Sequence, residues 1–296
     1  MNTDSRLERA NDNAAAFWLA QARVHGWRSR TRPGLTAVRC ARTPDDAHRF
    51  VVTRPYAEPG ALEQELADLM TEWSTIRCTV EDPYDGLDLS GLGATRMPVM
   101  PVMVRDPGPV EGATAVLPAV SEAHGGGVLT VDEARDGDGF AMVERAVVEG
   151  FPLPARQPWV RGEALPERLL DVPGWRGWLG RVDGAVAGTC LTYDDGRATG
   201  VYWVTTLPDW RGRGVARAVL QTALAHAHPD RPATLVATSL GEPLYRKLGF
   251  VERARTCWWT STSVEPTEQP GRVGQGERAG HAAADDSGRR LAGGAG

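Results

Sequence analysis

Residues 177–207, GWLGRVDGAVAGTCLTYDDGRATGVYWVTTL, read as three strands joined by tight turns at Val182-Asp183-Gly184 and Asp194-Asp195-Gly196. Asp-Gly pairs suit hairpins because glycine accepts positive φ at little cost. The third strand runs into PDWRGRG, and an apolar helix follows from Val215 to Ala227. A strand that feeds a glycine turn and then a helix confines this half to a mixed α/β sheet. The flanks agree. Strand GVLTVDEA and helix GDGFAMVERAVVEGF precede the meander; strand ATLVATS, short helix GEPLYRKLG and last strand FVERARTCWWT follow it. The predicted order is β-α-β-β-β-α-β-α-β.

The first half is less regular. Asp12 to Val24 reads as a helix with Phe17, Leu19, Ala20 and Val24 on its apolar side. His48 to Pro55 reads as a strand stopped by proline. Leu62, Leu66, Leu69, Met70 and Trp73 recur at helical spacing, and Thr75 to Val80 is β-rich. Arg96 to Arg105 is expected to be an edge strand, because its prolines cannot donate to a central ladder. The Gly- and Pro-containing segment Arg105 to Gly127 reads as a linker or long crossover. Beyond about Ser263 there is almost no large apolar residue, which predicts a disordered tail.

At 296 residues the chain has room for two domains. Its net charge of −5 argues against a dedicated nucleic-acid binder, while leaving a local basic pocket open. Cys40, Cys78, Cys190 and Cys257 form no CxxC, and read as reduced, mostly buried thiols of a cytoplasmic protein. No apolar run approaches the roughly 20 residues of a membrane span, and the polar N-terminus has no signal-peptide core.

The Arg-Gly-Arg-Gly turn admits several phosphate readings. A dinucleotide fold wants G-x-G-x-x-G, but Arg217 stands at the third glycine, and no ribose-binding acid follows. A P-loop needs a lysine that is absent. A plain solvated turn is the structural alternative. A pyrophosphate cradle fits better. A helix N-terminus leaves N–H groups unpaired and carries partial positive charge, glycines let backbone approach closely, and arginines add fork-shaped donors.

Here the chain resembles the GCN5-related N-acetyltransferases (GNAT). Their [RQ]-x-x-G-x-[GA] signature matches Arg211-Gly212-Arg213-Gly214-Val215-Ala216, preceded by Pro208-Asp209-Trp210. A second family block is matched by PLYRKLGF, Pro243 to Phe250. The likeness covers about Gly127 to Thr262. It implies a GNAT fold and acetyl transfer from acetyl-CoA to a primary amine, with no metal, nucleic acid or membrane partner. Carried over residue by residue, it implies that the backbone of Val204, Thr205 and Thr206 pairs with pantetheine. Arg211, Gly212, Arg213, Gly214, Val215, Ala216 and Arg217 would hold the pyrophosphate. Tyr245 would protonate the departing thiolate as general acid, with packing beside CoA as its alternative role. Where relatives often have an asparagine touching CoA, this chain has Thr238 and Ser239; Ser239 is taken as the contact.

The general base is not legible. The strand GVYWVTT has no acid; Glu149, Asp194, Asp195 and Glu242 are candidates that also suit surface roles. His226 and His228, two apart on a helix end, face different ways and are not a metal pair.

The first half shadows the second. With Pro55 set on Pro208, VVTRPYAEPGALEQEL lies ungapped over VTTLPDWRGRGVARAV, and Leu62 and Leu66 fall on Val215 and Val219. Leu92-Gly93 answers Leu248-Gly249. The chemistry is lost: Glu58 replaces Arg211, Pro59 replaces Gly212 and Glu63 replaces Ala216, which would repel pyrophosphate and remove a donor. The expectation is therefore two tandem GNAT-like domains. Residues 1–125 would be the silent copy with its linker, 126–262 the acetyltransferase and 263–296 the tail. A non-catalytic acyl-CoA sensor or scaffold is the competing function; a nicotinamide enzyme is a more distant one.

Overall fold

The computed structural model describes residues 5–40, 48–75, 77–110, 127–151 and 156–261. The tail and most of the expected linker lie outside these residues. The first half comprises helix α1 (Ser5–His25), strands β1 (Arg28–Arg32), β2 (Leu35–Arg39) and β3 (His48–Val52), helix α2 (Pro59–Glu72), and strands β4 (Cys78–Asp82), β5 (Ala94–Arg96) and β6 (Met100–Arg105). The second comprises β7 (Leu129–Ala134), α3 (Gly137–Gly150), β8 (Trp175–Val182), β9 (Ala185–Asp194), β10 (Thr199–Thr206), α4 (Val215–Ala225), β11 (Ala233–Val236), α5 (Glu242–Lys247) and β12 (Val251–Ser261). The predicted second-half order is the observed one. The β1–β2 hairpin escaped sequence reading because RSRTR has no apolar alternation; its residues are exposed or half-buried.

Both halves contain the same unit, a strand, a helix and a parallel strand: β3–α2–β4 and β10–α4–β11. The described strands form one hydrogen-bonded path, β1-β2-β3-β4-β12-β6-β11-β10-β9-β8-β7, with β5 attached to β12.

The join between the halves is a reciprocal exchange. Strand β6, from the first half, lies between β11 and the front of β12. The back of β12, from the second half, lies between β4 and β5, with Cys257 opposite Asp82 and Trp259 opposite Arg96. Each sheet thus takes an interior strand from the other half. This corrects the edge-strand expectation for Arg96 to Arg105. Pro101 is tolerated inside the sheet because it stands second in β6 and uses its carbonyl, which accepts the Ala237 N–H at 3.0 Å.

The core follows the exchange. Leu62, Leu66 and Leu69 of α2, with Trp73 just past its end, pack on Phe50, Val52 and Val80, but also on Cys257 and Trp259 of β12. Helix α1 binds the halves from the opposite face. Phe17 lies stacked between Trp175 and Tyr202, at centroid distances of 4.7 and 3.7 Å. Asn13, wholly buried, donates to the carbonyls of Tyr193 and Ala198 and accepts from the Tyr202 hydroxyl at 2.6 Å. The four cysteines are buried and unbridged, as expected.

Candidate active site

Strands β10 and β11 pair only at Thr199–Ala233 and Gly200–Thr234. Beyond that they part. β11 stays with β6 as far as Val236, while β10 stays with β9. A bulge between Tyr202 and Thr205 bends β10, and Trp203 adopts φ 52°, a costly conformation for a bulky residue. Phe151 at the end of α3 holds the Trp203 ring edge-on at 5.3 Å. Thr205 is buried against Gly150 of α3, whereas Val204 packs with the α4 core. Their side chains are therefore committed to opposite layers, and their backbone is what faces the fork.

The glycine turn closes the mouth of this fork. A 3-10 turn at Pro208–Trp210 leads into Arg211, whose Nε donates to the Thr206 carbonyl at 3.3 Å. The Arg213 guanidinium lies 5.0 Å over the Trp210 ring. Gly212 and Gly214 take φ of 76° and 82°, where a side chain would strain the backbone. Space around both is open. No side chain caps α4 at Gly214, so its first N–H groups face outward with the positive end of the helix. Val215 contributes its side chain to the core, Ala216 is half-buried and Arg217 is exposed.

Two further residues seat this helix, and sequence reading passed over them. Gly180 and Gly188 face each other across β8 and β9. A Cβ at Gly188 would stand 2.6 Å from the Thr205 carbonyl and 2.9 Å from Val215, and one at Gly180 2.6 Å from Val219. Glycine inside a strand pattern signals such close approach.

Tyr245 sits in α5 with 8 % of its surface exposed, in one packed cluster with Val201, Leu235 and Ala237 from both arms of the fork. Burial, helped by the nearby Cys190, pushes its hydroxyl well above the usual tyrosine range, so it keeps its proton at neutral pH. Ser239 is exposed between β11 and α5; Thr238 accepts the Gly241 N–H at 3.2 Å and shapes the α5 start.

The four candidate bases are occupied. Glu149 pairs with Arg145, Asp194 with Arg231 and Glu242 with Arg246. Asp195 accepts the N–H groups of Arg197 and Ala198. His226 binds the Thr222 carbonyl through Nδ1 at 2.8 Å, and His228 Nδ1 accepts the Asp230 N–H. Among the described residues no His, Cys, Asp or Glu cluster is placed to hold a metal ion, and no helix is long and apolar enough to cross a membrane.

The corresponding place in the first half is closed. β3 and β4 pair at four successive positions, His48–Cys78 through Val51–Glu81, so no fork opens. Past the strand ends, the wholly buried Asp82 accepts from the Tyr56 hydroxyl at 2.7 Å and from the N–H groups of Tyr84, Gly86 and Leu87. Glu58 and Pro59 open α2.

The second half thus places an uncapped, glycine-led helix at the mouth of a forked parallel strand pair. Residues 173–252 match the family described as "Acetyltransferase (GNAT) domain". The chain carries a GNAT domain in its second half. No curated protein matches it in sequence. Among solved structures, a GCN5-related N-acetyltransferase from Kribbella flavida superposes with a TM-score of 0.57 at 18% identity, covering 84% of this chain and 95% of that one. A functionally unknown conserved protein from Staphylococcus epidermidis ATCC 12228 gives 0.54 at 9%, covering 79% and 94%. A tandem GNAT protein from the clavulanic acid biosynthesis pathway gives 0.51 at 18%, covering 77% and 78%. At these identities the likeness establishes the fold, a tandem GNAT arrangement.

Proposed function

We propose that residues 126–262 form an acetyl-CoA-dependent N-acetyltransferase acting on a primary amine, and that residues 1–125 are a degenerate copy that binds no cofactor and shapes its cleft. The observation that carries this reading is the contrast between the two halves: one parallel pair is forked and glycine-capped, the other zipped and closed by Asp82. Acetyl-CoA supplies the activated acetyl group. The uncapped N–H groups of α4, with Arg211, Arg213 and Arg217, hold its pyrophosphate. The backbone of Val204, Thr205 and Thr206 positions the pantetheine arm and polarises the thioester carbonyl. Tyr245, held neutral by burial, gives its proton to the leaving sulfur.

Replacing the hydroxyl tests the last step. Tyr245→Phe is expected to lower kcat about 10²-fold with CoA affinity unchanged, read by thiol release against a panel of amines. An unchanged kcat assigns Tyr245 to packing. Reversing two charges tests the cradle. Arg211→Glu with Arg213→Glu is expected to weaken CoA binding about 10²-fold, roughly 2.7 kcal/mol, by calorimetry, while Glu58→Arg in the first half leaves it unaltered. The engaged state of the four candidate bases Glu149, Asp194, Asp195 and Glu242 favours a second reading, an acyl-CoA sensor. Tight CoA binding without turnover on any amine would select it.

A further inference from the structure

The fork has a second face. Side chains alternate along β11, so Leu235 packs with the cluster of Tyr245, while Val236 packs with Ala10 and Val102 beneath α1. On the α1 side a cavity of about 30 Å³ opens where β10 leaves β11. Tyr202, Thr234 and Val236 line it from the fork; Asn11, Thr256 and Glu81 line it from α1, β12 and β4. That space holds roughly one or two waters, and its polar walls suit them.

Glu81 comes from the silent half and is 7 % exposed. Arg49 of β3 approaches it at 3.5 Å, but the Arg49 guanidinium also lies 4.5 Å over Trp18 and 5.7 Å from Trp258. Arg49 and the Tyr202 hydroxyl are the titratable groups facing Glu81; α1 and β12 present the uncharged Trp18 and Trp258. Burial pushes the Glu81 carboxyl up, against the pull of Arg49 and a hydrogen bond from Trp18. Tyr202 donates to Asn13 and is not available as a base.

We infer that Glu81 receives the proton of the acceptor's ammonium group through water held in this cavity. The inference rests on the acetyltransferase reading. An ammonium N–H bond breaks and its proton passes to water, which gives one of its own to the Glu81 carboxylate. The freed nitrogen lone pair bonds to the thioester carbonyl carbon. The C–S bond breaks, the thiolate takes the Tyr245 proton, and the extra proton left on the new amide nitrogen passes to solvent. Glu81 then releases its proton to solvent, from which Tyr245 is reprotonated. The silent half thereby supplies what β10 lacks, and the acceptor arrives as a cation.

The test compares wild type, Glu81→Gln and Glu81→Asp over pH. Wild-type kcat/KM is expected to rise along a limb above the ordinary glutamate range. Glu81→Gln should lose about 10²-fold and that limb; Glu81→Asp should keep a displaced limb, and serves alone if the glutamine variant does not fold. Carboxyl-selective ¹³C NMR should show one high-titrating carboxyl in wild type that is missing in Glu81→Gln. An active wild type with an unchanged Glu81→Gln profile, or no such carboxyl, overturns the inference. A wild type that binds CoA but acetylates no amine overturns the acetyltransferase reading beneath it.

Discussion

Residues 126–262 produced alone will not fold into the second sheet. That piece lacks β6, which pairs with both β11 and β12, and it lacks Phe17, which sits between Trp175 and Tyr202. The back of β12 would also lose β4 and β5 and present an unpaired edge, a template for aggregation. The expected outcome is insoluble or molten protein, checked by near-UV circular dichroism and size exclusion. Full chain cleaved at an engineered site between Val110 and Gly127 should behave oppositely. Its two fragments should co-elute and melt in one transition, because the exchanged strands and α1 hold them without the covalent link. Separate elution after cleavage would contradict the shared-sheet architecture.

Phe17→Ala should be the most damaging single substitution. The ring is 1 % exposed and makes stacked contacts on both faces. Truncation leaves a cavity between the halves and costs about 3–5 kcal/mol, lowering Tm by roughly 10 °C for a chain of this size. Because Tyr202 then loses its stacking partner beside the bulge of β10, CoA affinity should fall as well. Thermal melts followed by fluorescence, with and without CoA, measure both. A loss below about 0.5 kcal/mol, the scale of ordinary surface substitutions, would show that α1 merely covers the sheet.

The second half was legible because its signals are local. Asp183-Gly184 specifies a hairpin, and the turn Arg211 to Gly214 sits between a strand and a helix within a short span of chain. The alignment of Pro55 on Pro208 was equally readable, since both mark a strand that turns into a helix. What escaped depends on partners distant in sequence. Pro98 and Pro101 point to an edge strand, and nothing near them announces that β11 and β12, over a hundred residues away, flank β6. Glu81 looks like any surface acid; only β12 laid beside β4, with α1 above, buries it. Gly180 and Gly188 lie in a run already read as strand, and their pairing under α4 is a property of register. Arg28 to Arg32 form a strand through pairing with β2 alone, against their own polarity.

The strand exchange also fixes a sequence of events during synthesis. A nascent chain emerges N-terminus first, so β3, α2 and β4 are made long before Cys257 to Ser261. Until those residues leave the ribosome, β4 has no neighbour on the side that β12 will fill. The first half must therefore wait with an open flank while the second half is translated, and β12, the last strand among the described residues, is the one that closes the first sheet. Translation past residue 261, rather than completion of either half, is the point at which this protein becomes a protein.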